Sequence, residues 1–415
     1  PPSVRSASFG LRPGGGEARF WRACGLGQVQ AQARSGPRSL RILLLHHGLT
    51  GMAAQSKSFV QAQHIDCRHV YTANAMARGR SDAHFDEVRK EWTRRKHVFL
   101  GRYVRPAVAK LNLIGRPVYL IDGFAGANVY GGEAVGSTAI LCQEGTSFNN
   151  PSDHARVFAC EPDSRRFASL ESTCSEWINS KLLTAYNAAH ADSVSSIQSQ
   201  ITGKPAVVFL DPMKNTQLSL ELDIFPWARR ARTDVLGLFF HGQACRTVSG
   251  YAHNQDAVHP STYLGPKWAD AVTESAALQV FSNAISTIGK KFSAVYPLRK
   301  LEQNREAYAI FSLSDSEHGM WLFSDAIAQD HDLLDQHDSA SRTASLFQQS
   351  ENERTEANLI DFMRPHVLKN PDWVAKKIGP YLLAQPGGLD ALFGKYSAKD
   401  VSNARRQILK EDKNA

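Results

Sequence analysis

Three short apolar runs in the sequence each end in residues able to meet a ligand. The first, residues 118–121, leads into Asp122-Gly123-Phe124-Ala125-Gly126. Glycines at 123 and 126 let the backbone turn tightly and approach a ligand closely, and Asp122 is placed to meet that ligand directly or through water. The second run, 157–160, ends in Glu161-Pro162-Asp163. An acid there, in dinucleotide- and adenosine-binding folds, accepts hydrogen bonds from ribose hydroxyls. The third, 207–210, delivers Asp211 directly before Pro212, with Met213 and Lys214 following. Such a carboxylate accepts hydrogen bonds from an amine and holds its lone pair toward an incoming methyl group, working by position rather than proton transfer. Asp192 is a weaker candidate, either touching an adenine ring or capping a helix.

Each motif alone has a plainer reading: a glycine-bearing turn, a solvated acid opening a helix, an Asp-Pro that only starts a turn. Three such ends in chain order favour the ligand-binding reading. Glu161 lies further beyond Gly126 than the ~20 residues of the nucleotide fingerprint. The excess, 131–151, reads as an inserted loop.

The elements that would position these groups alternate. Strands are expected at 118–121, 156–160, 206–210, 235–240 and 307–313, and helical spacing covers 164–179 and 193–200. That alternation builds an α/β fold, a Rossmann-like doubly wound sheet whose ligand sits at the carboxyl ends of the strands. Ahead of it, apolar groups at helical spacing from Ser81 to Lys110 give one or two helices, with Pro106 as the interruption.

The domain plan expected is a disordered extension or translated upstream sequence over 1–51, a helical N-terminal segment over 52–95, and the Rossmann-like domain over 96–330. A polar linker follows over 331–354, then a small helical or winged-helix appendage over 355–415. The formal charge of +8 overstates any attraction to nucleic acid, because the first 51 residues hold seven arginines against one acid and contribute +6 of it. Residues 52–415 are left nearly neutral, so a nucleic-acid partner has no support from charge.

Six cysteines (Cys24, Cys67, Cys142, Cys160, Cys174, Cys245) form no Cys-x-x-Cys pair and suit free thiols in a cytoplasmic setting. Apolar runs are strand-sized, so no membrane partner is expected. Walker, Gly-x-Ser-x-Gly and His-Glu-x-x-His motifs are absent. His331 and His337 flank acids but lie six apart, off one helical face, so no metal is expected.

Taken together, the motifs resemble the three-Cys-motif partner proteins (TcmP), which are similar to class I S-adenosylmethionine-dependent methyltransferases. The resemblance covers about residues 96–327. It runs through Lys96-His97 and Tyr103, Asp122 to Gly126, Gly136-Ser137, Glu161-Pro162-Asp163, Asp211-Pro212, Thr233-Asp234, Arg246, Leu264-Gly265-Pro266 and Tyr308. It implies S-adenosylmethionine as cofactor, with Asp122, Gly123, Phe124, Ala125 and Gly126 near the methionine part, Glu161 on the ribose, and Asp211 with Pro212 at the methyl acceptor. It also implies a partner protein carrying three cysteines. The alternative it leaves is a catalytically inactive module that binds cofactor or that partner. The chain departs from the family at Met213-Lys214, where an aromatic and a glycine are usual, and at Thr138, where proline is usual. The first departure removes the flat surface on which a base would stack, and counts against a base as acceptor.

Overall fold

The computed structural model describes residues 91–130, 133–134, 136–146, 154–251, 258–299, 306–341 and 356–414. The expected extension over 1–51, the start of the N-terminal segment and most of the expected linker lie outside these residues. Helix α1 (Glu91–Leu111) leads into β1 (Val118–Asp122). A short hairpin, β2 (Val129–Tyr130) and β3 (Glu133–Ala134), precedes α2 (Ser137–Thr146). Then come β4 (Ala155–Cys160), α3 (Ser164–Thr173), β5 (Leu183–Tyr186), α4 (His190–Gln200) and β6 (Ala206–Leu210). They are followed by β7 (Thr233–Phe239), α5 (His241–Tyr251), α6 (Glu274–Ser286), β8 (Phe292–Arg299), β9 (Glu306–Ser314) and α7 (Glu317–Ser341). The chain closes with α8 (Glu356–Lys369), α9 (Ala375–Leu383) and α10 (Ala398–Asn414).

Seven strands form one sheet in the order β5-β4-β1-β6-β7-β9-β8. The five on the β5 side are parallel, and β9 runs antiparallel to both β7 and β8. Without the hairpin this is the order 3-2-1-4-5-7-6, a Rossmann-like methyltransferase fold with added C-terminal helices. The chain moves outward from β1 through β4 to β5 and then returns to the other side of β1 at β6. That reversal opens a crevice at the carboxyl end of β1.

The strands read as unbroken apolar runs because both faces are covered. Along β1, Val118 and Leu120 enter one core cluster and Ile121 the other; along β6, Val207 and Phe209 alternate with Ala206, Val208 and Leu210 in the same way. The first face is closed by α1, α2 and α7, the second by α4, α5 and α6. Buried Asp234 ties three elements together, accepting from Tyr103 Oη of α1 at 3.0 Å and Ser314 Oγ of β9 at 2.6 Å.

Several elements differ from expectation. Helix α1 continues through Pro106. The proline costs about 3 kcal/mol in a helix interior, but Tyr103, Val104, Ala107 and Val108 on either side are buried, and that packing holds the helix together. The stretch expected as an inserted loop holds α2, whose Leu141 and Cys142 lie in the core. The helix expected over 164–179 is broken at Cys174, which ends α3 and starts a second short helix, Ser175–Asn179.

At the other end, the boundary expected after residue 330 falls inside α7. The C-terminal helices share the main core: Leu359, Met363, Leu382 and Ile408 cluster with Phe323 and Ile327. A Cβ on Gly379 would lie 2.4 Å from the Trp321 ring, so α9 is seated directly on α7. Among the described residues no strand follows Ser314, and no helix is long and apolar enough to cross a membrane.

Candidate functional site

The register of the sheet sets the geometry at the carboxyl end of β1. Asp122 pairs with Ala159 of β4 on one side and with Phe209 of β6 on the other. Glu161 and Asp211 each lie two residues beyond those partners, so they flank the loop that follows Asp122. The sheet therefore brings the three expected strand ends to one place.

Asp122 is fully buried and organises the loop from beneath. Its Oδ2 accepts from Ser137 Oγ and Thr138 Oγ1, each at 2.7 Å, and its Oδ1 accepts from the Phe124 amide at 3.3 Å. Thr138 thus supplies a hydroxyl that fixes Asp122 to the first turn of α2. Burial pushes the Asp122 carboxyl up to about 6, outweighing these hydrogen bonds, with the Asp211 charge adding to the rise.

An ordinary aspartate titrates near 3.8, so between about 4 and 6 the folded chain holds a proton that the unfolded chain has released. The stability contributed by this group is present in full below that window and lost as pH rises through about 6. Replacing Asp122 with asparagine should flatten that decline by up to about 3 kcal/mol, read from urea unfolding between those pH values. An unchanged slope in the variant would contradict the burial argument.

The loop is pinned amide by amide. Gly123 N–H donates to Phe209 O at 2.9 Å, Ala125 N–H to Cys160 O at 3.0 Å, and Gly126 N–H to Glu161 Oε2 at 3.0 Å. Gly126 has φ +65°, and a Cβ there would meet nothing within 4 Å, so the turn borders open space. Gly123 is the opposite case: a Cβ would lie 2.7 Å from Leu210 Cδ2 and 3.0 Å from His190 Cγ. Glu161 is buried, with Oε1 accepting from the Asp163 amide at 2.8 Å. Burial raises its carboxyl above the usual range, partly offset by those amides and by Arg166. Asp163 in turn caps α3, accepting from the amides of Arg165 and Arg166.

Asp192 sits exposed in the first turn of α4, on the rim. The N-cap of that helix is Ala189, so Asp192 does not serve as the cap. Beneath the loop, His190 is locked on both nitrogens. Trp227 Nε1–H donates to its Nε2 at 3.0 Å, which leaves Nδ1–H to donate to Asp223 Oδ1 at 2.8 Å. The ring stands 6.1 Å from that of Phe124 and walls the loop from below.

On the β6 side, Asp211 Oδ2 accepts from Lys96 Nζ of α1. Their side chains are only 10% and 6% exposed, so this is a buried ion pair. Beside it, Arg95 is paired with Asp330 of α7 through both carboxylate oxygens. Pro212 is buried. Met213 Sδ accepts from Arg166 NH1 at 2.9 Å, so a side chain from the β4 side reaches across the end of β1 to the β6 side. Asn215 holds the next loop in place, exchanging hydrogen bonds with the Phe240 backbone at 2.7 and 2.9 Å.

The motifs alone do not disclose the partners His190, Asp223, Trp227 and Arg166, nor the pairing of Lys96 with Asp211. One signal for Lys96 exists. It lies three, four and seven residues before Phe99, Leu100 and Tyr103, on the apolar face of α1, where a charged residue needs a buried counter-ion.

No family model and no curated protein matches the chain. Among solved structures it is similar to the O-methyltransferase from Bacillus cereus in complex with S-adenosylhomocysteine, at 13% identity and a TM-score of 0.32, over 62% of this chain and 93% of that one. An O-methyltransferase from Streptomyces achromogenes involved in tomaymycin synthesis, in complex with S-adenosylmethionine, gives 15%, 0.30, 53% and 79%. A SAM-dependent methyltransferase from Agrobacterium tumefaciens gives 6%, 0.30, 51% and 60%. Likenesses this distant carry no statement about activity, ligand or partner, and the fold stands on its own strand order.

Proposed function

We propose that this chain binds S-adenosylmethionine at the carboxyl end of β1 and transfers its methyl group to an acceptor held before Asp211. The observation that carries the reading is Gly126, turned at positive φ against open space with Glu161 holding its amide. The residues fit the cofactor chemically. A carboxylate has about four lone-pair sites, and Glu161 commits two of them to backbone amides. The other sites are suited to a ribose diol, and Asp192 on the rim is suited to an adenine edge. Asp122 shapes the loop without needing to touch the ligand.

When bound, the cofactor supplies a methyl group activated on a sulfonium. The chain's own task is then to align an acceptor and to exclude water, so few acids or bases are required. Asp211 presents a fixed hydrogen-bond acceptor at the β6 end, and buried Pro212 turns the chain away from it. Its resemblance to the three-Cys-motif partner proteins extends the proposal to a partner carrying three cysteines.

A second reading, a cofactor-binding module without turnover, is favoured by one observation: Lys96 already occupies the carboxylate of Asp211. Transfer of a labelled methyl group to a cell extract separates the two. The enzyme reading predicts labelled product from the full chain and at least a ~100-fold loss in Asp211→Asn at saturating cofactor, in the range of positioning effects. Cofactor binding with no labelled product from the unaltered chain would establish the module instead.

A further inference from the structure

The Lys96–Asp211 pair stands at the carboxyl end of β6, on one side of the crevice. Asp211 lies level with the loop after Asp122, on the β6 side of the crevice. Both side chains are nearly removed from water, so their charges are weakly screened. The field of Asp211 crosses the crevice floor, since it adds to the rise of Asp122, whose largest cause is burial. The neighbouring Arg95 and Asp330 offset one another. Lys96 likewise offsets Asp211 at the β6 edge.

We infer that Lys96 and Asp211 are a charge-compensating pair that sets the cleft's preference between the sulfonium cofactor and its uncharged thioether product. This rests on the S-adenosylmethionine reading. Methyl transfer removes the positive charge from the ligand, so any net charge at this edge favours one side of the reaction. A lone Asp211 would hold the sulfonium and disfavour the product. A lone Lys96 would repel the sulfonium and retain the product, slowing turnover. The pair removes both biases, and Lys96 is in this sense a specificity-determining residue acting through Asp211.

Calorimetric titration of the full chain with S-adenosylmethionine and with S-adenosylhomocysteine tests this without any acceptor. The ratio of the two dissociation constants should move about tenfold toward S-adenosylmethionine in Lys96→Met and about tenfold toward S-adenosylhomocysteine in Asp211→Asn, each equivalent to about 1.4 kcal/mol. The double variant, which removes both charges and keeps the shapes, should return to within about threefold of the original ratio. Circular dichroism would show whether each variant folds, and either single variant keeps the test open if the other does not, because each by itself is expected to move the ratio about tenfold in its own direction. A purely structural role would weaken both ligands by one factor and leave the ratio in place, and a double variant far from the original ratio would equally overturn the inference. If the unaltered chain binds neither ligand, the cofactor reading itself falls. If it binds both and the ratio does not respond, only the pair's role is lost.

Discussion

Replacing Gly123 with valine is expected to cost about 3 kcal/mol of stability and to lower S-adenosylmethionine affinity at least ~100-fold. The position is closed on two sides, by Leu210 Cδ2 and by the His190 ring. Neither neighbour can give way easily. Leu210 is fully buried in the second core cluster, and His190 is held on both nitrogens by Asp223 and Trp227. The loop must therefore lift, stretching the hydrogen bonds that the Gly123 and Ala125 N–H groups donate to the flanking strands.

Gly126→Ala is the informative contrast. It meets no atom, so its stability cost is only the left-handed backbone penalty of about 1–2 kcal/mol. Its new methyl group points into open space, where the proposed cofactor would lie, so affinity should fall while the fold holds. Thermal unfolding alongside cofactor titration separates the two glycines. Similar stability losses in both would contradict this division of roles.

His190→Leu carries the other large effect, a loss of about 3–5 kcal/mol in denaturant unfolding. Leucine fills much of the volume but removes the donor facing Asp223 and the acceptor facing the Trp227 indole N–H. Both partners are essentially without solvent access. Asp223 retains the Ser219 amide at 2.8 Å but loses the imidazole N–H that the buried carboxylate accepted from. Adding Asp223→Asn to His190→Leu should recover part of the loss, because the carboxylate's burial cost then disappears. A double variant as unstable as the sum of the two single variants would show that the two residues are not coupled.

The central strands were legible because doubly covered strands must be apolar throughout: β1, β4, β6 and β7 lie within a residue or two of their expected bounds. Strands β5 and β8 were not legible. They are the two edges of the sheet, where burial is partial and the sequences Leu-Thr-Ala-Tyr and Phe-Ser-Ala-Val-Tyr-Pro carry no clean pattern. Pro106 misled for a related reason. Propensity is local, and the burial on both sides of it comes from distant parts of the chain.

At the candidate site, the turn at Gly126 and the strand-end position of Glu161 were readable because both leave local marks. What holds them was not. Lys96 and Asp211 are 115 residues apart, and His190 and Asp223 are 33 apart. Pairs of that kind are set by the sheet order, which fixes who meets whom only after folding. Asp122, expected to meet a ligand directly or through water, also has a structural task set by the fold: Ser137 and Thr138 of α2 donate to it and tie it to the loop.

The cofactor cleft is the claim on which the rest depends, and one titration addresses it. S-adenosylmethionine added to the full chain should bind at one site in the micromolar range, about 7–8 kcal/mol. In Glu161→Ala affinity should fall by roughly 10- to 100-fold, the effect of losing a charged hydrogen-bond partner of the ribose. No binding by a chain that unfolds cooperatively, or binding indifferent to Glu161, would contradict the account.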